Sequence, residues 1–176
     1  ELFPPSIGAY TIGFVDWAPT PPDNNMGIFR DVELKITRNV EIKNTFVYSK
    51  VNLNTLSEAD LFVSTEVVNY SNQDQEITLE GKIAELSFSH KITLKANEKK
   101  EVKLSSKELP QLHIKNPKLW WPNGYGEPNM YHLELAAKAN NELSSSEEID
   151  FGIREVGDYM NENGHRGYTI NGKKIL

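Results

Sequence analysis

At 176 residues, with 38% hydrophobic and 10% aromatic residues, the chain can bury one good core and is too apolar to be disordered. A formal net charge of -6 disfavours a nucleic-acid backbone as the main partner, because that needs clustered Lys and Arg, and no apolar run approaches the ~20 residues of a membrane span. The absence of cysteine excludes disulfides and thiolate metal sites and leaves the compartment open.

The start, Glu1-Leu2-Phe3-Pro4-Pro5, has neither an initiator Met nor a basic n-region, and the other end stops in what reads as a strand. Both termini are therefore expected to be cuts inside a longer polypeptide. Tyr10–Trp17 mixes aromatic and β-branched residues and predicts a strand. Ala18–Asn25 holds Pro19, Pro21 and Pro22 and cannot be regular structure. Gly27–Ile36 resumes as a strand in which Val32, Leu34 and Ile36 alternate.

From Arg38 onward the pattern is continuous all-β, with turns at the spacing of a sandwich. The predicted strands are Val40–Leu53 (broken near Asn44), Asp60–Tyr70, Gln75–Leu86, Ser87–Leu94, Lys99–Ser106, Tyr131–Asn140 and Ser144–Glu155. Ser57–Asp60 reads as a connector, and Lys107–Asn116 as a polar, Pro-containing link. The last two strands should close as a hairpin across Asn140-Asn141-Glu142. Gly157–Gly167 is polar and Gly-rich and is expected to be loosely held. No stretch of ~10 residues has helical periodicity, so helices should be nearly absent.

Asn116–Tyr131 is the most distinctive stretch. Trp120 and Trp121 sit side by side, and neighbours on an extended strand face opposite ways, so one indole can enter a core while the other covers a second surface. Pro122 ends the run, and Asn123-Gly124 marks a turn because glycine accepts positive φ. Tyr125, Pro128 and Tyr131 lead back into a strand. The expectation is a packed aromatic corner that docks against something, with Trp120, Trp121, Pro122, Asn123, Gly124, Tyr131 and Arg154 as its residues.

The run Leu119-Trp120-Trp121-Pro122-Asn123-Gly124-x-Gly126-x-Pro128-x-Met130-Tyr131 resembles the signature near the end of the immunoglobulin-like domain of glycoside hydrolase family two. Met130 stands where that family more often has Leu. Asp16-Trp17-x-Pro19 and Gly27-Ile28-Phe29-Arg30-Asp31-Val32 are similar to the end of the family's sugar-binding jelly roll, most of all in its β-mannosidase and exo-β-glucosaminidase branch, with Phe29 in place of Trp. Phe151-Gly152-Ile153-Arg154-Glu155-Val156 resembles the strand that links the immunoglobulin-like domain to the catalytic barrel, and Tyr168–Leu176 the hairpin before that barrel.

The resemblance implies an immunoglobulin-like β-sandwich over 38–156, flanked by a jelly-roll tail over 1–37 and a barrel lead-in over 157–176. It implies a retaining parent that hydrolyses terminal β-linked sugars, mannoside first and glucosaminide or galactoside behind. The acid/base and nucleophile glutamates would lie on barrel strands beyond Leu176, so this stretch should be inactive alone. Asp16 and Trp17 would reach towards the parent's pocket, where a carboxylate accepts sugar hydroxyl bonds and an indole packs on C–H groups. The implied partners are neighbouring domains of the same polypeptide and, through the parent, carbohydrate. The expected setting is a soluble, periplasmic or secreted bacterial parent.

Other chemistry is thinly supported. Glycoside hydrolysis needs two carboxyl groups flanking one bond, whereas Glu147 and Glu148 on a strand face opposite ways. His90, His113, His132 and His165 have no metal-ligand spacing, and no metal or cofactor is expected. Ser144-Ser145-Ser146 sits in a hairpin and not on a nucleophile elbow. The sequon Asn69-Tyr70-Ser71 reads first as a β-turn. The rival reading is a free-standing carbohydrate-binding module with Trp120, Trp121 and Trp17 as a stacking platform. A generic adhesion domain that binds protein through strand edges is a third.

Overall fold

A computed structural model describes residues 31–175. Asp16, Trp17, the predicted strand Tyr10–Trp17 and most of the expected jelly-roll tail lie outside the described residues. Residues 31–38 form no strand, and Val32, Leu34 and Ile36 are 82%, 87% and 84% exposed.

From Ile36 onward the chain is one compact unit built of eleven strands and one 3-10 turn, Pro110–Leu112. The strands are β1 (Val40–Val51), β2 (Glu58–Asn69), β3 (Gln75–Ile83), β4 (Leu86–Leu94), β5 (Lys99–Ser105), β6 (His113–Lys115), β7 (Tyr131–Ala139), β8 (Glu142–Phe151), β9 (Val156–Met160), β10 (Arg166–Ile170) and β11 (Lys173–Ile175). All pairings are antiparallel. One sheet runs β1-β2-β5, with β6 also on β2. A second runs β4-β3-β7-β8, and a third β11-β10-β9.

The first two sheets enclose a single core. Ile42, Leu61, Val63 and Leu104 from one meet Ile77, Leu79, Leu133 and Leu135 from the other, all fully or almost fully buried. Two four-stranded antiparallel sheets packed face to face make an all-β, immunoglobulin-like sandwich.

Two bulges set which residues enter that core. On β1 the pairing shifts between Lys43 and Phe46, with Asn44 at φ 57. The inward phase jumps from Val40 and Ile42 to Thr45, Val47 and Val51, and Phe46 and Tyr48 are turned out. Tyr48 then stacks on Phe62 across the strand, centroids 4.6 Å apart. On β8 the shift between Ala137 and Lys138 turns two consecutive residues, Ser144 and Ser145, inward.

Those two serines close the sandwich. Among the described residues, no strand forms a ladder with the outer edge of β1. Val40 N–H donates to Ser144 Oγ and Ile42 N–H to Ser145 Oγ, each at 2.9 Å, and Thr45 N–H donates to the Glu147 carboxylate at 3.1 Å. Side chains thus take the place of a strand ladder, as buried donors require.

Several expectations are corrected. Glu58–Asp60 is not a connector but the start of β2, paired with both β1 and β6. The link over 107–116 is not merely polar, since Leu109, Leu112 and Ile114 enter the core. The strand expected to run to Glu155 ends at Phe151. Gly157–Gly167 is not loose: β9 and β10 pair over five residues, and Asn161 closes their turn by accepting the His165 and Asn163 N–H groups.

The sequon residue Asn69 is fully buried. Its Nδ2 donates to the Gln73 and Lys95 carbonyls at 2.8 and 2.9 Å, while its Oδ1 accepts from Ser71 N–H and Oγ. A glycan on that nitrogen is incompatible with this packing. Asn69→Ala leaves buried carbonyls and an amide without partners, and urea titration should show a loss of about 2–4 kcal/mol.

Candidate functional site

The Trp-Trp corner forms because a turn folds it onto itself. Tyr125 N–H donates to the Pro122 carbonyl at 3.0 Å, and Gly124 at φ 82 supplies the positive-φ position that the sequence predicts. Trp121 N–H then reaches the Glu127 carbonyl at 3.1 Å, and Trp120 faces Pro128 across an isolated bridge. Asn129 Nδ2 donates to the Leu119 carbonyl at 2.9 Å.

Both indoles are half-buried, and they diverge as neighbours on an extended segment must. Trp121 packs against the sandwich core. Trp120 lies over Gly152, where a Cβ would stand 2.7 Å from the Trp120 Cβ and Cγ. Gly126 serves Trp121 in the same way, with a Cβ position 2.8 Å from its Cγ and Cδ1. Each glycine is a seat that only a missing side chain can provide.

A cation lies against each indole. The Arg154 guanidinium carbon is 4.4 Å from the Trp120 ring centroid, and Lys173 Nζ is 4.7 Å from that of Trp121. Tyr131 stacks on Phe151 at 5.8 Å, and its hydroxyl accepts from Lys118 N–H at 2.9 Å. Of the expected corner residues, Arg154 meets Trp120, Pro122 is half-buried next to Trp121, and Tyr131 lies apart against Phe151. Asn123 and Gly124 stand exposed at the turn tip.

Sequence reasoning missed the group that ties this corner to the third sheet. Asn171 is 2% exposed at φ 49, in the two-residue turn Asn171-Gly172 between β10 and β11. Its N–H donates to the Glu155 carbonyl at 2.8 Å, its Oδ1 accepts from Glu155 N–H at 2.9 Å, and its Nδ2 donates to the Trp120 carbonyl at 3.0 Å. The Glu155 carboxylate in turn accepts from Val51 N–H at 2.6 Å. The Asn-Gly pair signals a hairpin turn, but nothing in its spacing says where the asparagine side chain goes.

Elsewhere several polar groups pair on open sheet faces. Glu147 serves the β1 bulge, whereas Glu148 faces out near His132 at 3.7 Å, so the adjacent glutamates do point apart. His113 bonds Asp60 at 2.9 Å and His132 bonds Asp150 at 2.7 Å. Among the described residues no three His, Asp or Glu side chains converge as a metal site would require.

Gly152→Ala drives a methyl into the Trp120 ring and should cost about 1–3 kcal/mol, with a red shift of tryptophan emission; an unshifted spectrum and unchanged urea midpoint would contradict the seat. The hydrogen bond to Asp150 holds the His132 imidazole above its ordinary value of 6.5. The group is raised in the folded state, so its contribution is full below 6.5 and is lost as pH rises through the raised value. Urea midpoints of the native chain minus those of Asp150→Asn should therefore shrink from about pH 6 towards pH 8.

Comparison with known proteins matches residues 40–154 to the model of Glycosyl hydrolases family 2. An exo-β-D-glucosaminidase of Streptomyces avermitilis is 35% identical over 166 residues, covering 94% of this chain and 18% of its own length. That of Amycolatopsis orientalis is 36% identical, covering 94% and 16%. A mannosylglycoprotein endo-β-mannosidase of Lilium longiflorum is 27% identical, covering 92% and 18%. The crystal structure of the Amycolatopsis orientalis exo-chitosanase superposes with a TM-score of 0.78 at 36% identity over 93% of this chain and 19% of that one. The chain thus spans under a fifth of the length of these relatives, and it belongs to glycosyl hydrolase family 2.

Proposed function

We propose that this chain is a non-catalytic part of a longer family 2 exo-glycosidase, in which the sandwich over 38–156 holds a sugar-binding jelly roll (tail 1–37) against a barrel whose lead-in is 157–176. The observation that carries the reading is the coverage: nearly the whole chain aligns with under a fifth of the exo-β-D-glucosaminidases. Relatives with that name change the expected order of sugars, so a terminal β-D-glucosaminide now stands ahead of a mannoside. In the parent the paired carboxylates of hydrolysis would come from elsewhere, and Asp16 and Trp17 would contribute sugar contacts at the pocket rim.

The corner fits a mechanical role. Its indoles pack against glycines and lie beside Arg154 and Lys173, which favours a packed joint over a stacking platform for Trp120 and Trp121. Beyond the corner, β9 and β10 turn Val156, Met160 and Tyr168 outward, 63%, 61% and 52% exposed, on one face of the third sheet. Such a face suits a following domain.

The purified chain should not hydrolyse aryl β-D-glucosaminides or β-D-mannosides. Turnover that persists through repurification and tracks with the chain would sink the non-catalytic reading.

A further inference from the structure

We propose that Asn171 is a positioning residue: a pin that makes the third sheet and the sandwich one rigid body, and so sets the direction in which the chain leaves the sandwich. The covalent connection between them, 152–155, is not strand, and a four-residue extended segment would by itself act as a hinge. The β10–β11 turn folds back onto that segment. Asn171 holds both backbone groups of Glu155, one through its own N–H and one through Oδ1, and reaches the Trp120 carbonyl through Nδ2.

The two segments so joined are themselves anchored to the sandwich. Trp120 N–H donates to the Ile153 carbonyl at 2.9 Å, and the Ser49 hydroxyl bonds both the Arg154 carbonyl and N–H at 2.7 and 2.9 Å. Lys173, two residues beyond the pin, caps Trp121. An asparagine suits the post for two reasons. It tolerates φ 49, and it offers an acceptor and a donor on one short arm, where Gly supplies only the backbone and Asp only the acceptor.

The rigid coupling stands on this geometry alone; its use, aiming a barrel in the parent, rests on the proposed role as a non-catalytic spacer. The test uses the full chain. In the native protein, amide residual dipolar couplings from β1–β8 and from β9–β11 should fit one alignment tensor. Asn171→Gly keeps the backbone conformation and removes both side-chain bonds. It should require two tensors and raise hydrogen exchange in β9–β11 about tenfold or more, with β2, β3 and β7 unchanged. Asn171→Asp, which keeps the acceptor, should fall between. A single tensor with native protection in both variants would overturn the pin, and so would loss of protection throughout the sandwich, which would make Asn171 a global fold residue. Neither outcome touches the non-catalytic reading, which the hydrolysis assay decides.

Discussion

The structure turns on the peptide groups of Trp120. Its N–H is bonded to Ile153 and its carbonyl to Asn171, so one residue in a non-repetitive segment joins the corner, the exit from β8 and the hairpin turn of the third sheet. A buried backbone group left unpaired is expensive, which is why such a junction tolerates little displacement. The indole of the same residue packs against Gly152 and lies under the Arg154 guanidinium. Trp121, facing the other way, connects the same peptide to the sandwich core.

A second constraint acts along the free edge of β1. Open strand edges invite pairing with other chains. Here the edge is occupied by serine hydroxyls and carboxylates from β8 and from Glu155, a cover that needs the extra residue of the β8 bulge to bring Ser144 and Ser145 to one side. The same device on β1 moves Phe46 and Tyr48 out of the core.

In this family 2 chain the joint is built from ring packing and backbone hydrogen bonds. Aromatic mass is placed at a joint and seated on glycines, with charge laid over its outer faces. The polar side chains at the joint accept or donate to backbone and do not form a pocket. That arrangement fits the proposed role, in which the chain would hold neighbouring domains in position and leave bond cleavage to residues elsewhere.

Seven of the sandwich strands, the turns at Asn123-Gly124 and Asn140-Asn141, the near-absence of helix and the unusual aromatic corner could be read from the residues, because each depends on local preference: alternation, positive φ at Gly and Asn, and proline's missing donor; β6 and β9 could not. What the residues could not show was phase and destination. Val40, Ile42, Phe46 and Tyr48 share one parity, and only a bulge at Asn44, chosen by pairing with β2, decides that the last two face water. Gly157–Gly167 looks polar and loose until β10 folds back and supplies ladder partners. Asn171 signals a turn, yet its side chain finds Trp120 from 51 positions away. Sequence thus determined the local conformations. Tertiary structure decided which face of each strand is buried and which side chains close the joint, because those depend on partners distant in the chain.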